Sequence, residues 1–177
     1  MFEIYTDGSV QKNGKPDGYA GWAMVHMSPE KLFVRYGHFK PTSTNGRGEI
    51  GGVLYALALF YQNPNLQLKF ISDAQYVIKS INEWRHKHVK YAFNGIKNRD
   101  LLEPLYTLWD AHGNSTIEWV KGHSGVRGNE IADEWADRGC RQVDWSKSSS
   151  TADIRFISDE EFRCTVEKSF QKVRSIP

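Results

Sequence analysis

Asp7, Glu49, Asp73 and Asp133 are far apart along the chain, yet each falls where the pattern of a regular element starts or stops. Carboxylates spread like this meet only if the fold gathers them. Once gathered, they raise one another's pKa values and resist ionising together. A hard cation such as Mg²⁺ or Mn²⁺, which takes oxygen ligands, relieves that repulsion. No cysteine or histidine cluster accompanies them, which argues against zinc. Two such ions ~3.5–4 Å apart can clamp a phosphodiester, serving the attacking water on one side and the leaving oxygen on the other. Taken singly, each acid also has a structural reading. Asp7-Gly8 suits a turn, Glu49 a favourable helix dipole, Asp73 an N-cap and Asp133 a solvated helix face. His123 lies in a glycine-flanked loop, Gly122 to Gly128, ten residues before Asp133. Loop histidines are usually solvated, but an imidazole beside a metal site can move protons or help product leave.

The elements that must position these groups are legible in outline. Residues 2–6 alternate and predict a strand stopped at Asp7-Gly8. Further strands at 21–27 and 32–39 complete an antiparallel meander. Pro41 to Asn45 breaks the pattern and offers cap residues. Ile50, Val53, Leu54, Leu57, Ala58 and Tyr61 fall at helical spacing, predicting an amphipathic helix from Glu49 to Gln62 with Glu49 in its first turn. Gly46, Gly48, Gly51 and Gly52 each cost roughly 1 kcal/mol relative to Ala inside a helix. The adjacent pair therefore signals either close approach of another backbone or a frayed start.

Residues 66–72 form a fourth strand ending in Ser72-Asp73, as the first ends in Thr6-Asp7. Ligands collect at the carboxyl ends of strands in open sheets, so parallel pairing of these two strands would bring both Asp residues together. A helix over 74–84, a basic stretch at 85–90, a helix over 99–112 and a fifth strand over 116–121 follow. A helix over 129–141 then carries Asp133 beside the buried stripe Ile131, Ala132, Trp135 and Ala136. Ser146 to Ser150 reads as a linker. Ser158 to Glu161 resembles a capping box, opening a short amphipathic helix with Phe162, Val166, Phe170 and Val173. The fold class is α/β, a five-stranded mixed sheet flanked by helices.

At 177 residues and 20.3 kDa the chain suits one domain with room for a short appendage. A hydrophobic fraction of 40% supplies a real core and excludes a disordered chain. A net charge of +2 is too small to diagnose a nucleic-acid partner, so any basic footprint must be local. Cys140 and Cys164 make neither metal spacing nor a disulfide framework, which suits a reducing compartment. With no signal peptide and no apolar run of ~18 residues, a cytoplasmic location and no membrane partner are expected.

Four segments resemble type 1 ribonuclease H. They are Tyr5-Thr6-Asp7-Gly8-Ser9, Thr44 to Glu49, Ser72-Asp73 with Gln75-Tyr76-Val77, and Gly122 to Asp133, the most specific. The resemblance spans about residues 1–142 and implies a ribonuclease H-like fold. It leaves 143–177 as a linker and helix outside the catalytic domain. It implies Asp7, Glu49, Asp73 and Asp133 as ligands of two Mg²⁺ ions, with Mn²⁺ as an alternative, and His123 as the loop histidine. The implied reaction is hydrolysis of the RNA strand of an RNA–DNA hybrid, giving 5′-phosphate and 3′-hydroxyl ends. The Met1 start leads us to expect a free-standing enzyme, and a monomer is expected. Gly46 departs from a family asparagine, and the first hairpin loop is longer than the family's.

RNA is distinguished by its 2′-hydroxyl, read across the wide minor groove. Asn45 and Gln75 match family positions for that reading, and Asn13 is a candidate from its loop alone. Thr44 and Asn98 match positions that hold a DNA-strand phosphate. Trp84 and Lys87 belong to a basic, aromatic stretch that the resemblance makes a grip on the hybrid backbone, and Arg127 borders the catalytic loop. The terminal helix either packs back on the domain or recruits a protein partner. A non-catalytic hybrid binder and a small-molecule phosphatase are the competing classes. The first needs a broken acidic cluster, and the second would lack the 84–91 patch.

Overall fold

A computed structural model describes residues 1–40 and 43–176, so Pro41 and Thr42, part of the expected cap segment, lie outside the described residues. Strands β1 (Phe2–Gln11), β2 (Tyr19–Met27) and β3 (Leu32–Phe39) form the antiparallel meander. Strands β4 (Leu68–Ser72) and β5 (Ser115–Trp119) extend it in parallel beyond β1. The helices are α1 (Asn45–Phe60), α2 (Gln75–Lys79), α3 (Arg85–Lys90), α4 (Arg99–His112), α5 (Arg127–Cys140) and α6 (Asp159–Arg174). A π-helical turn, Ser80–Trp84, joins α2 to α3, so the basic stretch is helical rather than irregular.

Period-2 alternation divides the core between the two faces of the sheet. Trp22 and Met24 of β2 point into one cluster with Leu54 of α1, Leu105 of α4 and Phe162 of α6. Ala23 and Val25 point into the other, with Tyr36 of β3 and Ala132, Trp135 and Ala136 of α5. The glycines of α1 are a packing device and not a frayed end. A Cβ at Gly48 or Gly52 would strike the Gly21 or Ala23 carbonyl, so only glycine lets this helix lie so close on β2.

The expected five strands are corrected to seven, in the order β5-β4-β1-β2-β3-β7-β6. The segment read as a linker forms β6 (Lys147–Ser148), and β7 (Ala152–Ile157) pairs parallel with β3. Its sequence hides this because only Ile154 and Ile157 are buried within it. Arg35 and Asp153 tie the two strands side to side through bonds of 3.1 Å. Ser158 then caps α6 by accepting from the Glu161 amide at 3.1 Å. Phe162 is 1% exposed, packed among Trp22, Phe39 and Tyr55. A phenylalanine buried this fully stabilises the fold by roughly 1.5–3 kcal/mol. The Ser169 hydroxyl donates to the Ala58 carbonyl at 3.0 Å, closing α6 onto α1.

Candidate active site

β1 and β4 run parallel with Tyr5 opposite Ile71. Continuing that register two residues sets Asp7 level with Asp73, just past the end of β4. Asp7 does not end its strand, contrary to the turn expected of Asp-Gly, because β2 keeps pairing with β1 as far as Gln11 opposite Tyr19. Alternation puts Asp7 on the same face as Tyr5, whose ring packs against Gly128 of α5. That is the face carrying Asp133. Gly8, next along, presses on the Gly48–Glu49 backbone and so brings Glu49 to the same strand.

The structural readings of three acids fail. Helix α1 begins at Asn45, so Glu49 lies in its second turn, beyond the reach of the dipole. Ala74, not Asp73, is the N-cap of α2. Asp73 instead accepts from the Asn129 amide at 3.0 Å. Asp7 is 8% exposed and accepts from its neighbour's amide, Gly8 N–H, at 2.7 Å.

The Asp7 carboxyl is pushed up to about 8, by burial first and then by the charges of Asp73, Asp133 and Glu49, while the Gly8 amide opposes the rise. Burial likewise raises Glu49, the Tyr76 backbone amide opposing the rise and the Asp73 charge adding to it. All four expected acids therefore act on one point. Ligand geometry is a stricter condition. Among the described residues, no three Asp, Glu, His or Cys side chains stand close enough to hold one ion together. The acids thus influence one another's charge without forming a closed ligand group in this arrangement.

The donor set nevertheless fits a hard divalent cation. It is all oxygen, and Glu49 Oε2 is buried with no hydrogen-bond partner while Oε1 accepts from Asn45 at 2.6 Å. His123 adopts φ 51° in the loop before α5, and its exposed ring places Nδ1 4.0 Å from Asp133 Oδ2.

The expected substrate residues divide into three places. Asn13 Oδ1 accepts from the Asn45 backbone amide at 3.2 Å, so the long hairpin loop touches the start of α1. Gln75 opens α2 and Arg127 opens α5, both exposed. Thr44 and Asn98 line a separate small concavity with Arg47. Trp84 and Lys87 line another cavity, on α3, with Tyr91 and Asn94. Trp84 is half-buried against Tyr76, so Val89 and Tyr91 are the stretch's most exposed apolar groups.

Two residues escaped the sequence reading. Asn129, 2% exposed, holds Asp73. Its signal was present, since it precedes Asp133 by four positions and so shares its helix face. Tyr76 packs its ring against Gly46, where a larger residue would collide, and accepts from Asn98 at 3.2 Å.

Residues 1–141 match the family model described as RNase H. A relative named Ribonuclease H, from Pseudomonas fluorescens, is 36% identical over 146 residues, covering 80% of this chain and 93% of the relative. Among solved structures, LC9-RNase H1, described as a type 1 RNase H with the type 2 active-site motif, superposes with a TM-score of 0.60 at 22% identity, covering 80% of this chain and 72% of that one. LC11-RNase H1, solved in complex with RNA/DNA hybrid, superposes at 0.53 and 16% identity, covering 78% of this chain and 98% of that one. These two likenesses concern the fold.

Proposed function

The chain belongs to the RNase H family, and from that premise we propose how its own residues cut the RNA strand of an RNA–DNA hybrid. It is a type 1 enzyme, a metal-dependent endoribonuclease leaving 5′-phosphate and 3′-hydroxyl ends. The observation that carries the reading is the burial of Asp7 at the junction where the parallel β1–β4 register brings it level with Asp73 and Gly8 packs against the Glu49 backbone. Asp7, Glu49, Asp73 and Asp133 would hold the divalent ions, two Mg²⁺ or alternatively Mn²⁺. When bound, these supply Lewis-acid charge at the scissile phosphate and lower the barrier to hydrolysis.

The protein's part is to position and to move protons. Asn129 fixes the Asp73 carboxylate, and Asn45 fixes Glu49. His123, exposed on its loop near Asp133, takes or gives a proton as the product leaves. Asn13, Asn45 and Gln75 read 2′-hydroxyls in the minor groove. Thr44 and Asn98 hold a backbone phosphate of the DNA strand. Lys87, Trp84 and Arg127 add salt-dependent grip.

In this scheme residues 1–142 carry the catalytic machinery and 143–177 brace it, with α6 committed to the core rather than to a protein partner. The enzyme acts as a cytoplasmic monomer. Among the described residues no helix is long and apolar enough to cross a membrane.

The test is incubation of an RNA–DNA hybrid with Mg²⁺, with and without chelator, beside Asp7→Asn. Cleavage of RNA alone, lost with chelator and in the variant, is expected. Cleavage surviving both would overturn the reading, and binding without turnover would make the protein a hybrid-binding module.

A further inference from the structure

Arg163 of α6 lies outside the 1–141 segment matched by the family. It nevertheless borders the concavity of about 250 Å³ shared by Lys40, Ser43, Thr44, Arg47 and Asn98. Among the described residues the polar lining is three cations, two hydroxyls and an amide, with no carboxylate. Thr44, the N-cap of α1, precedes Glu49 by five residues, roughly 7 Å along the helix axis.

Each arginine is held from behind by one acid. Asp100 takes Arg47 through two bonds of 2.9 and 2.7 Å. Asp159, 4% exposed, takes Arg163 Nε at 3.0 Å. Both guanidinium groups line the one concavity, and Arg47 first, with a smaller contribution from the Arg163 charge, holds the Asp100 carboxyl below its ordinary range. A guanidinium carries five N–H donors. With only Nε bonded among the described residues and a side chain 62% exposed, Arg163 keeps its outer N–H groups for an external acceptor. An arginine pre-oriented by a buried carboxylate, with hydroxyls and an amide opposite, suits the planar, forked recognition of phosphate.

We infer that Arg163 and Lys40 enlarge the Thr44–Asn98 pocket into a subsite for a backbone phosphate of the bound duplex. The C-terminal helix is thus part of the substrate-binding surface as well as a brace. This rests on the functional reading above.

The experiment measures binding of a mixed-sequence RNA–DNA hybrid in chelator across a salt series, and cleavage kinetics in Mg²⁺. Arg163→Ala and Lys40→Ala should each weaken binding about three- to tenfold and flatten the slope of log affinity against log salt by about 0.9. The loss should appear in KM and not in kcat. Arg163→Lys, which keeps the charge, should restore most of the slope; because lysine can also pair with Asp159, the Lys40 variant separates phosphate contact from a structural role. Arg163→Ala leaves the buried Asp159 unpaired and its fold is checked by melting. Lys40 makes no ion pair among the described residues and gives an independent reading. Unchanged KM and slope in Lys40→Ala and in folded Arg163→Ala, with active wild type, overturn this inference alone. A wild type that leaves hybrid uncut in Mg²⁺ overturns the functional reading and this inference together.

Discussion

Asp7 stores electrostatic tension that a cation can release. Its carboxyl stays protonated up to about pH 8 in the folded protein, against an ordinary value of 3.8. The unfolded chain therefore sheds this proton first. Stability from this group is fully present below pH ~4 and is lost as pH rises through about 8. Without metal, Asp7→Asn should therefore melt higher than wild type at pH 8.5, by several degrees, with the gap closing toward pH 4; equal melting at both pH values would contradict this. Asn129 makes the second residue-scale prediction. Removing it frees the Asp73 carboxylate, and Asn129→Ala should lose about 10- to 100-fold in metal affinity or activity, as supporting residues of metal sites do. A variant with wild-type Mg²⁺ dependence would show that Asp73 needs no such support. The sequence exposed the acids because their junctions and the motif around Asp133 are local features. It hid Asn129, whose role depends on β4 and α5 meeting.

At the scale of elements, two close approaches set the site. Gly8 admits the α1 backbone beside Asp7, and Gly48 and Gly52 let that helix lie on the β2 carbonyls. Gly52→Ala would force the helix off the sheet, costing about 1–3 kcal/mol as overpacking does, and would shift Glu49 with it. Melting should fall by several degrees, with a larger proportional loss of kcat than of hybrid affinity. An unchanged kcat would mean that Glu49 does not depend on this contact. Sequence reasoning offered close approach and fraying as equals, since a propensity scale cannot see the opposing carbonyl. It also ended β1 at Asp7-Gly8, because turn chemistry is local while the β2 ladder that carries the strand onward is not. Helix boundaries at α4 and α5 came out within about two residues because their apolar stripes alone define them.

For the whole molecule, the tail is the part that the sequence left least legible. β7 is buried at only two of its residues, and no local pattern announces that it pairs with β3. Its register and the burial of Phe162 make the tail continuous with the core. A chain ending at residue 142 would uncover Phe39 and Trp22 on the α6 side and leave the outer edge of β3 unpaired. It should melt at least ~10 °C lower or fail to stay soluble, and a truncated protein as stable as the full chain would contradict that brace. The central claim is that four distant carboxylates close on divalent cations. Its most direct test is calorimetric titration of Mg²⁺ at pH 7 in two buffers of different protonation enthalpy, with wild type and Asp7→Asn. We expect wild type to bind Mg²⁺ with release of close to one proton, and Asp7→Asn to bind far more weakly with none. Identical heats from the two proteins in both buffers would contradict the account.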